Sequence, residues 1–480
     1  MLDRELVRKA LGTAMGRGGE SAQIFVERTV ATSLRIDGRR LEESASGVEQ
    51  GVGLALTDGK RTLYASGNST DEEFLLRMAD RLARARSLAH HGPAVVPEAV
   101  LRPLPEQFDV RPLRLISPVL VPPATVGMDR KVATLRRADG AARARDPRVA
   151  QVTVVYRDVE QQVLVADTDG TWGSEIRQYV TIGVTAVARA GDTIRMGYEA
   201  RSETRGFEFF DVNLPEDVGA EAARVALLQL DARPAPAGAF TVVLSASAGG
   251  TMVHEACGHG LEADFILKAL SVYAGKEGQQ VASRLVTVVD DGTLPNLRGS
   301  SSMDDEGAAT TRCVLIDKGM LQGFLHSRRT AREMKVEPTG NGRRESYRHL
   351  PIPRMRNTII LPGKTPPDQM LAGIREGILV CRMGGGEVDV ATGNFVFSCS
   401  EAYMIRNGRI AEPIRDATLI GNGPEVLTTI DKVGSDLGYG VGTCGKEGQG
   451  VPVADAQPSL RIPRITVGGV AAEGGGTESA

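Results

Sequence analysis

Apolar residues fall at helical spacing across residues 2–16, then switch to a period of two. The stretches AQIFVERT, SLRIDGRRLE, GVGLALTDG and RTLYASG read as strands separated by Gly and Asp-Gly turns. A second helical pattern, DEEFLLRMADRLARARS, follows, with Thr70 or Asp71 placed to cap it. Residues 93–125 then turn proline-rich and extended, as a connector laid over a surface. Beyond it the pattern repeats. AQVTVVYRD (150–158) echoes AQIFVERT (22–29), QYVTIGVTAVARAGDTIRMGYEARS echoes EQGVGLALTDGKRTLYASGNS, and LPEDVGAEAARVALLQLDA closes the second copy as a helix. The sequence thus predicts a duplicated helix–strand-meander–helix unit.

DARPAPAG (231–238) reads as a linker into a fresh strand, FTVVLSASAGG, which leads to a histidine-bearing helix. Strand patterns then dominate: RLVTVVDDG, TRCVLIDKGMLQGFLH, RNTIILPG, GILVCRMGGGEVDV and NFVFSCSEAYMIRNGRI, interrupted by one expected helix, TPPDQMLAGIREG. The expected fold is α+β. Its parts are an amino-terminal α/β domain (1–92), the connector (93–125), a middle α/β domain (126–233), a β-rich carboxy-terminal domain (234–470) and a disordered tail (471–480).

Composition narrows the class. Lys+Arg 57 against Asp+Glu 60 gives a net charge of −3, no footing for binding nucleic acid or a membrane surface by charge. The first residues carry no apolar signal-peptide core, and no apolar run approaches the ~20 residues of a membrane span. The five cysteines are scattered without a CxxC pair, which points to a reducing, cytoplasmic setting.

Chemistry concentrates in TMVHEACGHGLEAD (251–264). His254 and His259 stand five apart, whereas the familiar zinc-peptidase spacing is four. A regular helix turns ~100° per residue, so two residues five apart would aim ~140° away from each other. One extra residue in the turn, a π-bulge, returns both imidazoles to one face, and Gly258 supplies backbone freedom beside the second. In a zinc hydrolase a glutamate placed as Glu255 takes a proton from the attacking water and later hands it to the leaving amine. Two histidines are too few for a catalytic site. Cys257, Glu262, Asp264, His326, His349 and Cys444 are candidates for the third donor. Glu262 and Asp264 suit better the task of orienting a histidine ring, and Cys444 stands out inside the glycine-dense GYGVGTCGKEGQGVPV.

VHEACGHGLEAD, SSSMDDEGAATTRCVLIDKGMLQGFLHSRRTA, TGNFVFSCSEAYMIRNGRI and GTCGKEGQGVPV together resemble the TldD/PmbA family of metallopeptidases, in its metal-bearing TldD form. The resemblance implies zinc held by His254, His259 and Cys444, with Glu255 as general base. It implies hydrolysis of unfolded or leader-type peptides, and pairing with a PmbA/TldE-like subunit that lacks the metal motif, or with a second copy. It also implies links to peptide-antibiotic maturation, antitoxin degradation and gyrase modulation, so a non-catalytic regulatory binding protein is the rival reading. A scaffold with a merely structural metal is a third, and it would need a fourth ligand such as Cys257 or Asp264.

Three further motifs carry weaker expectations. TGNFVFSCSEAYM reads either as an ordinary sheet strand or as an edge on which an extended peptide adds. MDDEG (303–307) reads as a turn whose carboxylates organise nearby backbone, and MGGGEVD (383–389) as a close backbone crossing. His326 and His349 are expected at structural or rim positions.

Overall fold

The computed structural model describes residues 2–89, 108–110 and 116–469; most of the expected connector and the whole expected tail lie outside them. The opening helix, Arg4–Met15, is started by Asp3, whose carboxylate accepts the Leu6 N–H at 2.8 Å. It buries Val7, Leu11 and Ala14 along one stripe, as its spacing predicts. Strands Ser21–Asp37, Arg40–Asp58 and Arg61–Gly67 and helix Glu72–Ala89 complete the first unit. Helix Met128–Ala144, strands Val149–Asp167, Thr171–Ala190 and Thr193–Glu203, and helix Pro215–Asp231 repeat that order.

The two units share one sheet. Ser21–Asp37 pairs antiparallel with Val149–Asp167 from Gln23↔Asp167 to Asp37↔Thr153, so the two meanders lie on either side of a local two-fold. Alternation then sorts the faces. Ile24, Leu34, Val154, Tyr156 and Ile182 point to the helices, whereas Phe25, Val163 and Val165 point the other way and pack on Met303 and Tyr347 of the carboxy-terminal region.

That region holds two large sheets beside the short pair Gly342–Arg343 and Ile352–Pro353. In one, Glu376–Val388, Gly238–Leu244, Leu460–Gly468, Thr418–Asn422 and Asn394–Arg406 follow in order, and the last pairs back to the first, closing a five-stranded barrel. The other runs Met320–Leu321, Arg312–Asp317, Val288–Asp291, Asn357–Ile360, Gln449–Gln457 and Gly438–Lys446. Between them lies the largest core, which also takes in Met252, Val253, Ala256 and Cys257 of the histidine segment. The Asn394–Arg406 strand, read as either an ordinary strand or an edge, is an ordinary one, paired on both sides. The helix expected in TPPDQMLAGIREG does not form. Only a 3-10 turn, Pro367–Gln369, is present, and Gly373 takes φ 82°, which ends any helix there. Met370 and Ile374 instead plug a small cluster against Val243, Leu379 and Ile405. Among the described residues no helix is long and apolar enough to cross a membrane.

MDDEG is the turn expected of it, and it fastens the carboxy-terminal region to the shared sheet. Asp304 accepts the N–H groups of Glu306, Ala308 and Gly342 at 2.9, 2.8 and 3.0 Å. Asp305 meets Arg177 of the sheet at 2.6 Å, Glu306 accepts the Arg328 N–H at 2.7 Å, and Gln23 reaches the Glu306 carbonyl at 3.2 Å. Burial, and next the neighbouring Asp304, push the Glu306 carboxyl up to about 7. An unfolded Glu titrates near ~4.3, so the folded chain keeps a proton that the unfolded chain releases. This contribution to stability is complete below ~4.3 and lost as pH rises through about 7. Glu306→Gln keeps an oxygen for Arg328. Thermal unfolding should therefore show the variant gaining on wild type by on the order of 2 kcal/mol between about pH 5 and pH 8; a pH-independent difference would contradict this.

Candidate metal centre

Strand Gly238–Leu244 delivers the chain to Gly250, where a Cβ would lie 2.3 Å from the Ala456 nitrogen. Glycine there lets the histidine segment start against the Gln449–Gln457 strand. One α-helical turn, Thr251–Val253, then widens into a π-helical turn, His254–Gly258, in which the His259 N–H bonds to the His254 carbonyl. The extra residue demanded by the five-residue spacing is present. Tyr273, buried, donates to the Ala256 carbonyl at 2.9 Å, giving the widened turn a side-chain partner.

Gly258 has a different reason from the one its position suggested. Its backbone is ordinarily helical, φ −53° and ψ −58°, so freedom is not what it supplies. A Cβ would stand 2.1 Å from the sulfur of Met355, which is fully buried; the glycine allows close packing.

Cys444 arrives on strand Gly438–Lys446, joined to Gln449–Gln457 through Glu447 and Gly448 at φ 49° and 73°. That two-residue turn sets the register, Cys444↔Val451 and Gly440↔Asp455. Alternate residues share a face, so Cys444, Gly442 and Gly440 look the same way as Val451, Val453 and Asp455. The sulfur lies 3.2 Å from His254 Nε2 and 3.3 Å from His259 Nε2, between rings whose centroids are 5.0 Å apart at 84°. The three donor atoms lie within 4.8 Å of one another, and His254, His259 and Cys444 are the one such group among the described residues.

Each ring is oriented from behind. His254 Nδ1 pairs with Asp455 at 2.8 Å and His259 Nδ1 with Glu262 at 3.0 Å, leaving both Nε2 atoms turned toward the sulfur. Glu262 therefore does what was expected of it. Asp264 does not orient a ring; it accepts from Lys446 at 2.6 Å, and the same ammonium lies 3.1 Å from Glu262. Asp455 was missed, although the strand pairing on Cys444 could have shown it. Cys257 points into the core and donates to the Val253 carbonyl at 3.4 Å. His326 is buried against Thr330 and His349 bonds to Ser346 in another cavity, so neither reaches the centre.

Charge follows this geometry. Burial raises the Cys444 thiol, but the two imidazoles outweigh it and bring it down to about 5. Burial lowers His259, but Glu262 and the sulfur raise it to about 9; burial opposes the charge on His254 too, yet Asp455 and the sulfur carry it well above its usual value. Burial opposes the ionised Glu262, yet Lys446 and His259 draw it down to about 2. The shifts of the sulfur and the two rings are opposite and mutually supporting, so a metal bound among them would take the place of protons. Glu255 is half-buried, its carboxyl makes no hydrogen bond among the described residues, and burial raises it against the pull of the imidazoles. It lines a cavity of about 580 Å³ shared with all three donors, Phe265, Gly384–Val388 and Gly440–Glu447.

Sequence profiles described as PmbA/TldA metallopeptidase domain 1, central domain and C-terminal domain match residues 22–89, 121–230 and 237–469. A Haemophilus influenzae protein named metalloprotease TldD homolog is 38% identical over 94% of this chain and 94% of its own length. A Saccharolobus solfataricus protein named zinc metalloprotease TldD homolog is 30% identical over 65% of this chain and 68% of its own length. The crystal structure of TldE from Thermococcus kodakarensis shares the fold, with TM-score 0.75 and 18% identity over 97% of this chain and 100% of that one. With all three profiles matched in order across most of its length, the chain belongs to the PmbA/TldD metallopeptidase family.

Proposed function

We propose that the chain is the metal-bearing, catalytic subunit of a zinc peptidase acting on unfolded or leader-type peptides. The observation that carries the reading is the convergence of two carboxylate-oriented imidazoles and one thiolate on a single point. Imidazole with thiolate suits zinc, and the Saccharolobus relative is named a zinc metalloprotease. Cys257 and Asp264 are engaged elsewhere, so among the described residues no fourth protein ligand closes the site and the structural-metal reading loses its support.

Bound there, the ion would polarise a peptide carbonyl and acidify water. The chain's own residues do the rest. Asp455 and Glu262 hold the rings in the tautomer that offers Nε2 outward. Glu255, free to face the cavity, accepts a proton from the attacking water and returns it to the departing amine. The walls favour an extended substrate. Gly438–Lys446 has a strand partner on one side only among the described residues, and Glu376–Val388, though paired with Asn394–Arg406 as far as Val388, has no strand partner on its other edge beyond Val380. Both can offer main-chain hydrogen bonds to a peptide of any sequence. The reading includes a cytoplasmic location and a PmbA/TldE-like partner, or a second copy, sharing the task.

Metal analysis and peptide cleavage, with a candidate partner subunit added, test this. Cys444→Ala should lose most of the about one zinc per chain that wild type holds. Glu255→Gln should keep its zinc and cleave ~10²–10⁴-fold more slowly. Full activity in Glu255→Gln would favour the regulatory binding reading instead.

A further inference from the structure

Behind the Cys444 strand lies a second cavity of about 540 Å³, between the shared sheet and the carboxy-terminal region. Thr443, next to Cys444, points into it, as alternation requires. Its walls contain three carboxylates, and all are engaged. Glu27 accepts from Thr29, Gln161 and the Tyr347 N–H at 2.9, 2.8 and 2.8 Å. Glu49 pairs with Arg348, and Glu345 accepts the Gly450 N–H at 2.6 Å.

Two cations in the same wall are not matched. Arg298 donates only to hydroxyls, Ser202 at 3.2 Å and Thr443 at 3.3 Å, and its Nε is buried without a partner. Burial holds Arg298 below the usual arginine range, and the nearby Arg157 adds to this, offset in part by Tyr179 and Tyr198. Arg157 makes no ion pair among the described residues. A half-buried guanidinium whose Nε has no partner, beside a second that makes no ion pair among the described residues, leaves donors that an anion can complete.

We propose that this cavity binds the free carboxylate end of a short peptide, gripped by Arg298 and Arg157. Guanidinium groups suit planar, bidentate recognition of a carboxylate. Gln161, Thr181 and Thr443 line the approach and can serve main-chain amides. The volume is within the ~300–1,000 Å³ of small-ligand pockets, far more than one inorganic ion fills. The choice of a peptide as the source rests on the peptidase reading; the pair of arginines without ion pairs does not.

The test uses the full-length Glu255→Gln chain, loaded with zinc, titrated calorimetrically with trialanine, trialanine amide and inorganic phosphate. Trialanine should bind at least ~10-fold more tightly than its amide. Arg298→Gln and the exposed Arg157→Gln should each weaken trialanine by a similar factor while leaving the amide unchanged. Equal binding of acid and amide, no binding at all, or no effect of Arg157→Gln in a folded chain would overturn the proposal. Phosphate displacing trialanine at equal or lower concentration would overturn it too, as an inorganic-anion site. Repeating the titration with His254→Ala separates the two readings: loss of peptidase activity with trialanine binding intact leaves this inference standing.

Discussion

Glu262 is fully buried, and its charge is tolerable there because Lys446 and His259 converge on it. Removing such a carboxylate from water costs several kcal/mol, so the arrangement holds only when its partners are in place. Those partners come from the two halves of the centre. Glu262 stands three residues beyond His259, and Lys446 two residues beyond Cys444. One buried ion pair therefore sets the register between the histidine segment and the hairpin that brings the sulfur. Arg354, itself fully buried, adds a second fastening by donating to the Cys444 carbonyl at 2.5 Å and the Gln449 carbonyl at 3.0 Å.

The larger architecture serves this register. The barrel and its neighbouring sheet enclose a core that the histidine segment crosses, so the imidazoles hang from packed backbone and not from a loop. The duplicated amino-terminal sheet presses its helix-free face on Met303 and Tyr347, and across that joint Arg177 binds the Asp305 carboxylate and Arg344 reaches Gln23 at 3.3 Å. Both cavities described above flank the Cys444 hairpin, one on each face.

Much of this was legible from residues alone. A five-residue histidine spacing with a catalytic-type glutamate admits few solutions, and the π-helical turn is the one found. Glycine density singled out the Cys444 segment, although it reads as a loop and the chain forms a strand hairpin there. What escaped the sequence was contact-dependent. Gly258 is needed for Met355, which is distant in sequence, and not for its own backbone. Asp455 becomes visible as a ring-orienting residue only once the 444↔451 pairing is known, and Asp264 is seen to serve Lys446, not a ring, only once the two stand side by side. The helix expected in TPPDQMLAGIREG failed because its apolar residues find a tertiary cluster without helical backbone, a case of packing overriding local pattern.

The proposed function requires that the Cys444 sulfur join the His254 and His259 imidazoles around one ion. X-ray absorption at the zinc edge of the loaded, active protein reads that directly. The account predicts one sulfur at ~2.3 Å and two imidazole nitrogens at ~2.0–2.1 Å. A first shell of nitrogen and oxygen alone, in a preparation that cleaves peptide, would contradict it.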